Sequence, residues 1–180
     1  SRQKHLTQLS TAEMKAVWYD GQGDAFAIIS HDPDLKTEPT PYGAVARLRG
    51  TEDHLFRDPD GIDFDGHGVA FTGTAGIIRR RSNGGYELSL FRGTRITAGG
   101  VTIRLEENSD VAFRMEFDQP EESRGNYYSK TGGTVTIECD ACGSSGTFYI
   151  DGAPHPVSSF SGGMKVALPV GRHQWQYSRG

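Results

Sequence analysis

The feature that most constrains this chain is alternation at period two. The runs DAFAIIS, GAVARLR, GIIRRRS, YELSLF, GVTIRLE, DVAFRMEF, GTVTIEC, GTFYID, GMKVALP and RHQWQYS follow one another with Gly, Asn, Asp, Ser or Pro between them. Successive side chains of a strand point to opposite faces, so such runs hide one face and wet the other. Helical spacing is confined to residues 10–14 (STAEM), where Ser10 as N-cap and Glu13 three positions on have the form of a capping box. Ten or more short strands without a crossover helix imply an all-β, antiparallel, jelly-roll-like β-sandwich with at most a short N-terminal helical turn. A parallel β-helix would show a coil-length repeat, and none is visible.

A length of 180 residues supports one good core and is short for two, so residues 1–15 are expected to lead into a single domain over 16–180. The 24 glycines and the modest hydrophobic share of 35% suit a turn-rich β protein. The formal charge is −4 and the basic residues are scattered, which argues against nucleic acid as a partner. No apolar run approaches the roughly 20 residues needed to cross a bilayer, and no leader is visible, so a soluble chain without a membrane span is expected. Opening at Ser1 without a methionine, the chain looks like a piece of a larger parent.

Turn residues suggest hairpins at Asn83-Gly84, at Asn108 and Ser109, and at Asp151-Gly152. The second would join GVTIRLE to DVAFRMEF as the core hairpin, with Val101, Ile103 and Leu105 on one inward face and Val111, Phe113, Met115 and Phe117 on the other. Near the C-terminus His173, Trp175 and Tyr177 alternate with Arg172, Gln174 and Gln176. The aromatic side has the spacing of a sugar platform, but a core role is preferred because the other side of that strand is wholly polar. Cys139 and Cys142 form one CxxC; two thiols are half of a zinc site, and no helix follows to make a redox motif, so a local disulfide or two free thiols is the better reading.

A turn centred on Asn83-Gly84 would set Arg80 opposite Glu87, Arg81 opposite Tyr86 and Arg79 opposite Leu88. Arg79, Arg81 and Tyr86, with Arg47 and Arg49, would then form a basic, partly aromatic face suited to carboxylate or sulfate and to a sugar ring. The alternative is that these arginines are solvated and paired with acids from another strand.

The stretch FRDPDGIDFDGHG, residues 56–68, gathers Asp58, Asp60, Asp63 and Asp65 among glycines. Calcium would find several oxygen ligands there, although the spacing departs from the EF-hand loop; a turn whose aspartates accept backbone N–H bonds is the preferred reading. Catalytic carboxylates of the glycosidase type are a third. No GxSxG elbow, HExxH helix or phosphate loop is present, and a lyase-type site would have to be assembled from His31, Tyr42, His54 or His67.

The segments WYDGQGDAFAIISHDP, PYGAVARLRG, GVAFTGTAGIIRR, ELSLFRGTRI, FYIDG and ALPVGRHQW together resemble the β-sandwich region toward the C-terminal side of heparinase II/III-like polysaccharide lyases, and some carbohydrate-binding modules. The resemblance implies a non-catalytic accessory module of a secreted bacterial enzyme, extracellular or periplasmic, that binds polysaccharide beside neighbouring domains; the arginine face makes an acidic polysaccharide the expected ligand. In those lyases the proton-abstracting residues lie largely on a helical toroid, so no catalytic residue carries over. Two other readings remain open: a calcium-stiffened structural or adhesive sandwich, and a lyase or hydrolase in its own right.

Overall fold

The computed structural model describes three strands within residues 1–33 as backbone, and then residues 34–140, 142 and 146–179. Strands β1 (Leu6–Ser10), β2 (Lys15–Tyr19) and β3 (Ala27–Ile29) pair in that order as a small antiparallel sheet. The expected helical turn at residues 10–14 falls mostly outside the described residues; Ser10 and Lys15, which flank it, face each other as a hairpin pair.

Fourteen further strands belong to one open antiparallel sheet. They are β4 (Lys36–Thr40), β5 (Gly43–Leu48), β6 (Thr51–Gly66), β7 (Val69–Arg80), β8 (Tyr86–Ala98), β9 (Val101–Leu105) and β10 (Ala112–Gln119). After these come β11 (Glu122–Ser129), β12 (Gly133–Cys139), β13 (Gly146–Ile150), β14 (Ala153–His155), β15 (Val157–Phe160), β16 (Gly163–Leu168) and β17 (Gly171–Arg179). Strands β4 to β8 run as a meander, and at β8 the sheet forks. The first part of β8, Tyr86 to Leu90, pairs with β10 and leads on through β11, β17, β13 and β14; the last part, Arg95 to Ala98, pairs with β9 and leads on through β12, β16 and β15.

The fork depends on glycine. Opposite the point where β8 changes partners, Gly73 has φ +150°, and a side chain there would run into the Arg92 carbonyl and Gly93. A Cβ added at Gly93 would come within 2.5 Å of the Thr72 carbonyl oxygen, so neither strand has room for a side chain at this crossing. Register shifts between Thr72 and Gly76 mark the same place as a bulge that lets the long ribbon bend.

Both limbs turn their apolar residues onto one core. Phe113, Met115, Phe117, Phe148, Trp175 and Tyr177 from the first limb, and Ile103, Val135, Ile137, Met164 and Val166 from the second, form a single buried cluster. This is a sandwich-like all-β fold, as the alternation implies. Inward faces follow the sequence closely: Val101, Ile103, Leu105, Val111, Phe113, Met115 and Phe117 are all buried. Their pairing does not. β9 pairs with β8 and β12, and β10 with β8 and β11, so the connection around Asn108 is an arch between the limbs and not the expected hairpin. Asn108 does take the left-handed conformation, φ 60°, but positive φ serves an arch as well as a hairpin. Asp151 and Gly152, φ 50° and 80°, do make the β13–β14 hairpin.

Candidate functional site

The β7–β8 hairpin shows how one residue of register redistributes chemistry. Arg81 N–H donates to the Gly85 carbonyl and Gly84 N–H to the Arg81 carbonyl, which makes the loop three residues, 82–84. The Asn83 side chain accepts from Gly85 N–H at 3.0 Å, and Gly84 takes φ +88°. The expected two-residue turn is therefore corrected: Arg80 lies opposite Tyr86, Arg79 opposite Glu87, and Ile78 opposite Leu88. A slip of one position moves each side chain to the other face relative to its expected partner.

The expected basic face is accordingly not assembled. Arg79 is 3% exposed and donates from Nε and a terminal nitrogen to the two Asp53 oxygens, each at 2.6 Å. Arg81 reaches the Phe117 carbonyl at 2.9 Å and Asp118 at 2.7 Å. Tyr86 packs on Phe117 on the core side, ring centroids 5.8 Å apart. Arg47 is held by Glu52 at 2.6 Å and Glu38 at 3.2 Å, and Arg49 sits in the β5–β6 turn with φ 49°. Acids from neighbouring strands thus engage Arg79, Arg81 and Arg47, as the alternative raised from the sequence has it, except that Arg79 is buried and not solvated.

The aspartate-rich stretch is strand and bulge, where the sequence suggests a polar turn or a calcium loop. It lies in β6, whose register against β7 jumps between Arg57 and Ile62, so residues 58–61 bulge out of the ladder. Asp58 accepts the backbone N–H of Asp60 at 2.9 Å, the behaviour of a turn aspartate. Asp63 and Asp65 lie beyond the bulge beside Arg95, at 3.5 and 3.6 Å, and Asp63 also accepts from Thr72 at 3.0 Å. Among the described residues no three His, Cys, Asp or Glu side chains are grouped to hold a metal ion. Of the lyase-type candidates, Tyr42 stacks on Phe56 with centroids 4.9 Å apart, His54 contacts Glu52 at 2.8 Å, and His67 occupies the β6–β7 turn with φ 55°. His31 lies outside the described residues.

What the fold does bring together is a charged row across the outer face. Reading over hydrogen-bonded neighbours, Asp53, Arg79, Glu87, Glu116, Arg124, Gln176 and Tyr149 stand in line on β6, β7, β8, β10, β11, β17 and β13. Arg114, on the next outward position of β10, donates to Glu87 at 3.0 Å and to Glu116 at 3.1 Å; Arg124 Nε donates to the other Glu116 oxygen. Burial works against the Glu116 charge, but Arg124 and Arg114 hold its carboxyl below the usual range. Side-chain exposure climbs along the row, from 0% at Asp53 through 16% at Glu87 to 73% at Arg124, so the same motif is a buried ion pair at one end and a solvated surface at the other.

At the solvated end lies a shallow cleft of about 600 Å³, lined by Arg124, Gly125, Tyr149, Asp151, Gln174 and Gln176 among others. Gly125 shapes its floor: a Cβ there would overlap the Arg114 carbonyl oxygen, which accepts from Trp175 Nε1 at 3.1 Å. Trp175 and Tyr177 are 3% and 1% exposed, with Trp175 stacked between Phe113 and Phe148, so the core role preferred for the aromatic side of β17 holds.

One rim of the cleft is clamped by His173. Its Nδ1 lies 2.7 Å from Asp151 Oδ2 and its Nε2 lies 2.9 Å from the Val170 carbonyl oxygen. Both partners only accept, so the ring satisfies both as the doubly protonated imidazolium. The Asp151 hydrogen bond, with that of Val170, raises the His173 pKa; His173 and the Gln174 N–H lower that of Asp151. Tyr127 packs on the same imidazole, centroids 5.2 Å apart, and burial pushes its phenol up to about 12. On the opposite limb, Cys139 and Cys142 are joined as a disulfide with Cα atoms 5.1 Å apart, so neither is available to zinc.

Among the described residues, then, the molecule is a sandwich-like β domain with one open, polar, partly cationic sheet face. Comparison with protein-family models, with characterised proteins and with solved structures returns no match. The cleft residues Arg124, Tyr149, Gln174 and Gln176 are not among the sequence candidates. The outward positions of RHQWQYS did mark Gln174 and Gln176, but ESRGNYYS is too polar for its alternation of Ser123, Gly125 and Tyr127 to stand out as a strand.

Proposed function

We propose that this chain is a non-catalytic carbohydrate-binding module, an accessory domain of a secreted bacterial polysaccharide-degrading enzyme, and that it takes its glycan in the cleft on the outer face of β11, β17 and β13. The observation that carries the reading is the chemistry of that cleft. Gln174 and Gln176 present amides that both donate and accept, as sugar hydroxyls require. Tyr149 offers a ring for a sugar face, and Arg124 offers a fork for an acidic group. Strands carry all four, so little backbone ordering opposes binding. The Cys139–Cys142 disulfide is in keeping with an oxidising compartment.

Affinity electrophoresis against a broad panel of neutral and acidic polysaccharides tests the reading. At least one glycan should retard the chain, and Tyr149→Ala should weaken that retention by roughly two- to tenfold, the range of an aromatic contact. Absence of retention across the panel, or retention indifferent to both Tyr149→Ala and Gln176→Ala, would remove the cleft as a glycan site.

A further inference from the structure

We infer that Arg124 is the residue by which the cleft distinguishes an anionic sugar from a neutral one; this rests on the glycan-binding reading above. Hydrogen-bond donors already engage the carboxylates around the cleft. Arg114 donates to Glu87 and Glu116, Arg124 Nε donates to the second oxygen of Glu116, and both Asp151 oxygens accept, one from His173 and one from Gln174 N–H.

Among the described residues that line the cleft, Arg124 is the one permanent cation. Its Nε is tied back to Glu116, which fixes the plane of the guanidinium and leaves the two terminal nitrogens for a ligand. A guanidinium donates and never accepts, so its partner must be an acceptor group, and paired oxygens fit the fork best. Gln174, Gln176 and Tyr149 serve any sugar, charged or not. Selectivity for charge therefore comes from Arg124, and the increment belongs to a uronate carboxylate or a sulfate ester, which share this acceptor geometry.

The test runs the full chain and R124Q through gels carrying polygalacturonate, dextran sulfate or uncharged dextran, at low and at physiological salt. Arg124 is largely exposed, so R124Q should melt with the wild type, and that is checked first. One of the two polyanions should retain the wild type more strongly than dextran, and which one identifies carboxylate or sulfate. R124Q should lose about tenfold of that retention, the scale of a hydrogen bond to a charged group, with dextran retention unchanged. Salt should weaken the wild type on the polyanion more than it weakens R124Q. Equal retention of both proteins on the polyanions, or an equal loss on dextran, overturns the assignment to Arg124 while leaving the glycan reading in place. Failure of the wild type on all three gels and on the wider panel overturns both.

Discussion

Removing one member of the Asp53–Arg79 pair should be the most damaging polar substitution in the row. Asp53 is fully buried and Arg79 nearly so, and the two share a bidentate contact with both distances 2.6 Å. Burial pushes the Asp53 carboxyl above its ordinary range even with the Arg79 bonds opposing that shift, so desolvation is the largest influence on the pair. Asp53→Ala leaves a guanidinium buried without its counter-charge, which costs about 3–5 kcal/mol. For a chain of this length each kcal/mol moves Tm by about 2–4 °C, so the midpoint should fall by about 6–20 °C. Arg79→Met should cost a similar amount for the reciprocal reason. The double variant Asp53→Leu/Arg79→Met removes both charges and should come back to within about 1 kcal/mol of the wild type, or exceed it. Urea denaturation followed by far-ultraviolet circular dichroism gives the three free energies and the coupling between the sites. Single-variant losses below about 1 kcal/mol, the size of an exposed ion pair, would refute the reasoning, as would a double variant as unstable as the sum of the singles.

Two other perturbations probe the cleft. Gly125→Ala should destabilise by about 1–3 kcal/mol through overpacking against the Arg114 carbonyl and should alter the near-ultraviolet dichroism of Trp175; a loss under about 0.5 kcal/mol with an unchanged spectrum would mean the floor has room. The His173–Asp151 clamp should be strongest between pH 3.8 and 6.5, the ordinary values of its two groups. His173 has a raised folded pKa, so its contribution is complete below 6.5 and fades as pH rises through the folded value. Asp151 has a depressed one, so its contribution is complete above 3.8 and fades as pH falls through the folded value. Nuclear magnetic resonance titration of His173 and Tm against pH, with His173→Asn flattening the upper limb, check this; a His173 that titrates at or below 6.5 contradicts the clamp.

The sequence alone determined the fold class and which side of most strands is hidden, because alternation is a property of each strand by itself: Val101, Ile103, Phe113, Met115, Trp175 and Tyr177 could be placed inward before any partner was known. Partners and register are a different matter. Whether Asn108 closes a hairpin or an arch depends on what the core on either side accepts, and left-handed backbone serves both. Whether Arg79 meets Leu88 or Glu87 depends on a loop of three residues where two were expected, while its buried ion pair comes from β6, whose register sets Asp53 opposite it. The candidate cleft was the least legible part. Arg124, Tyr149 and Gln176 are far apart along the chain, and each is one outward polar or aromatic residue among many. Only strand order puts them side by side, since solvated positions carry no periodic signal to separate a binding row from an ordinary wet face.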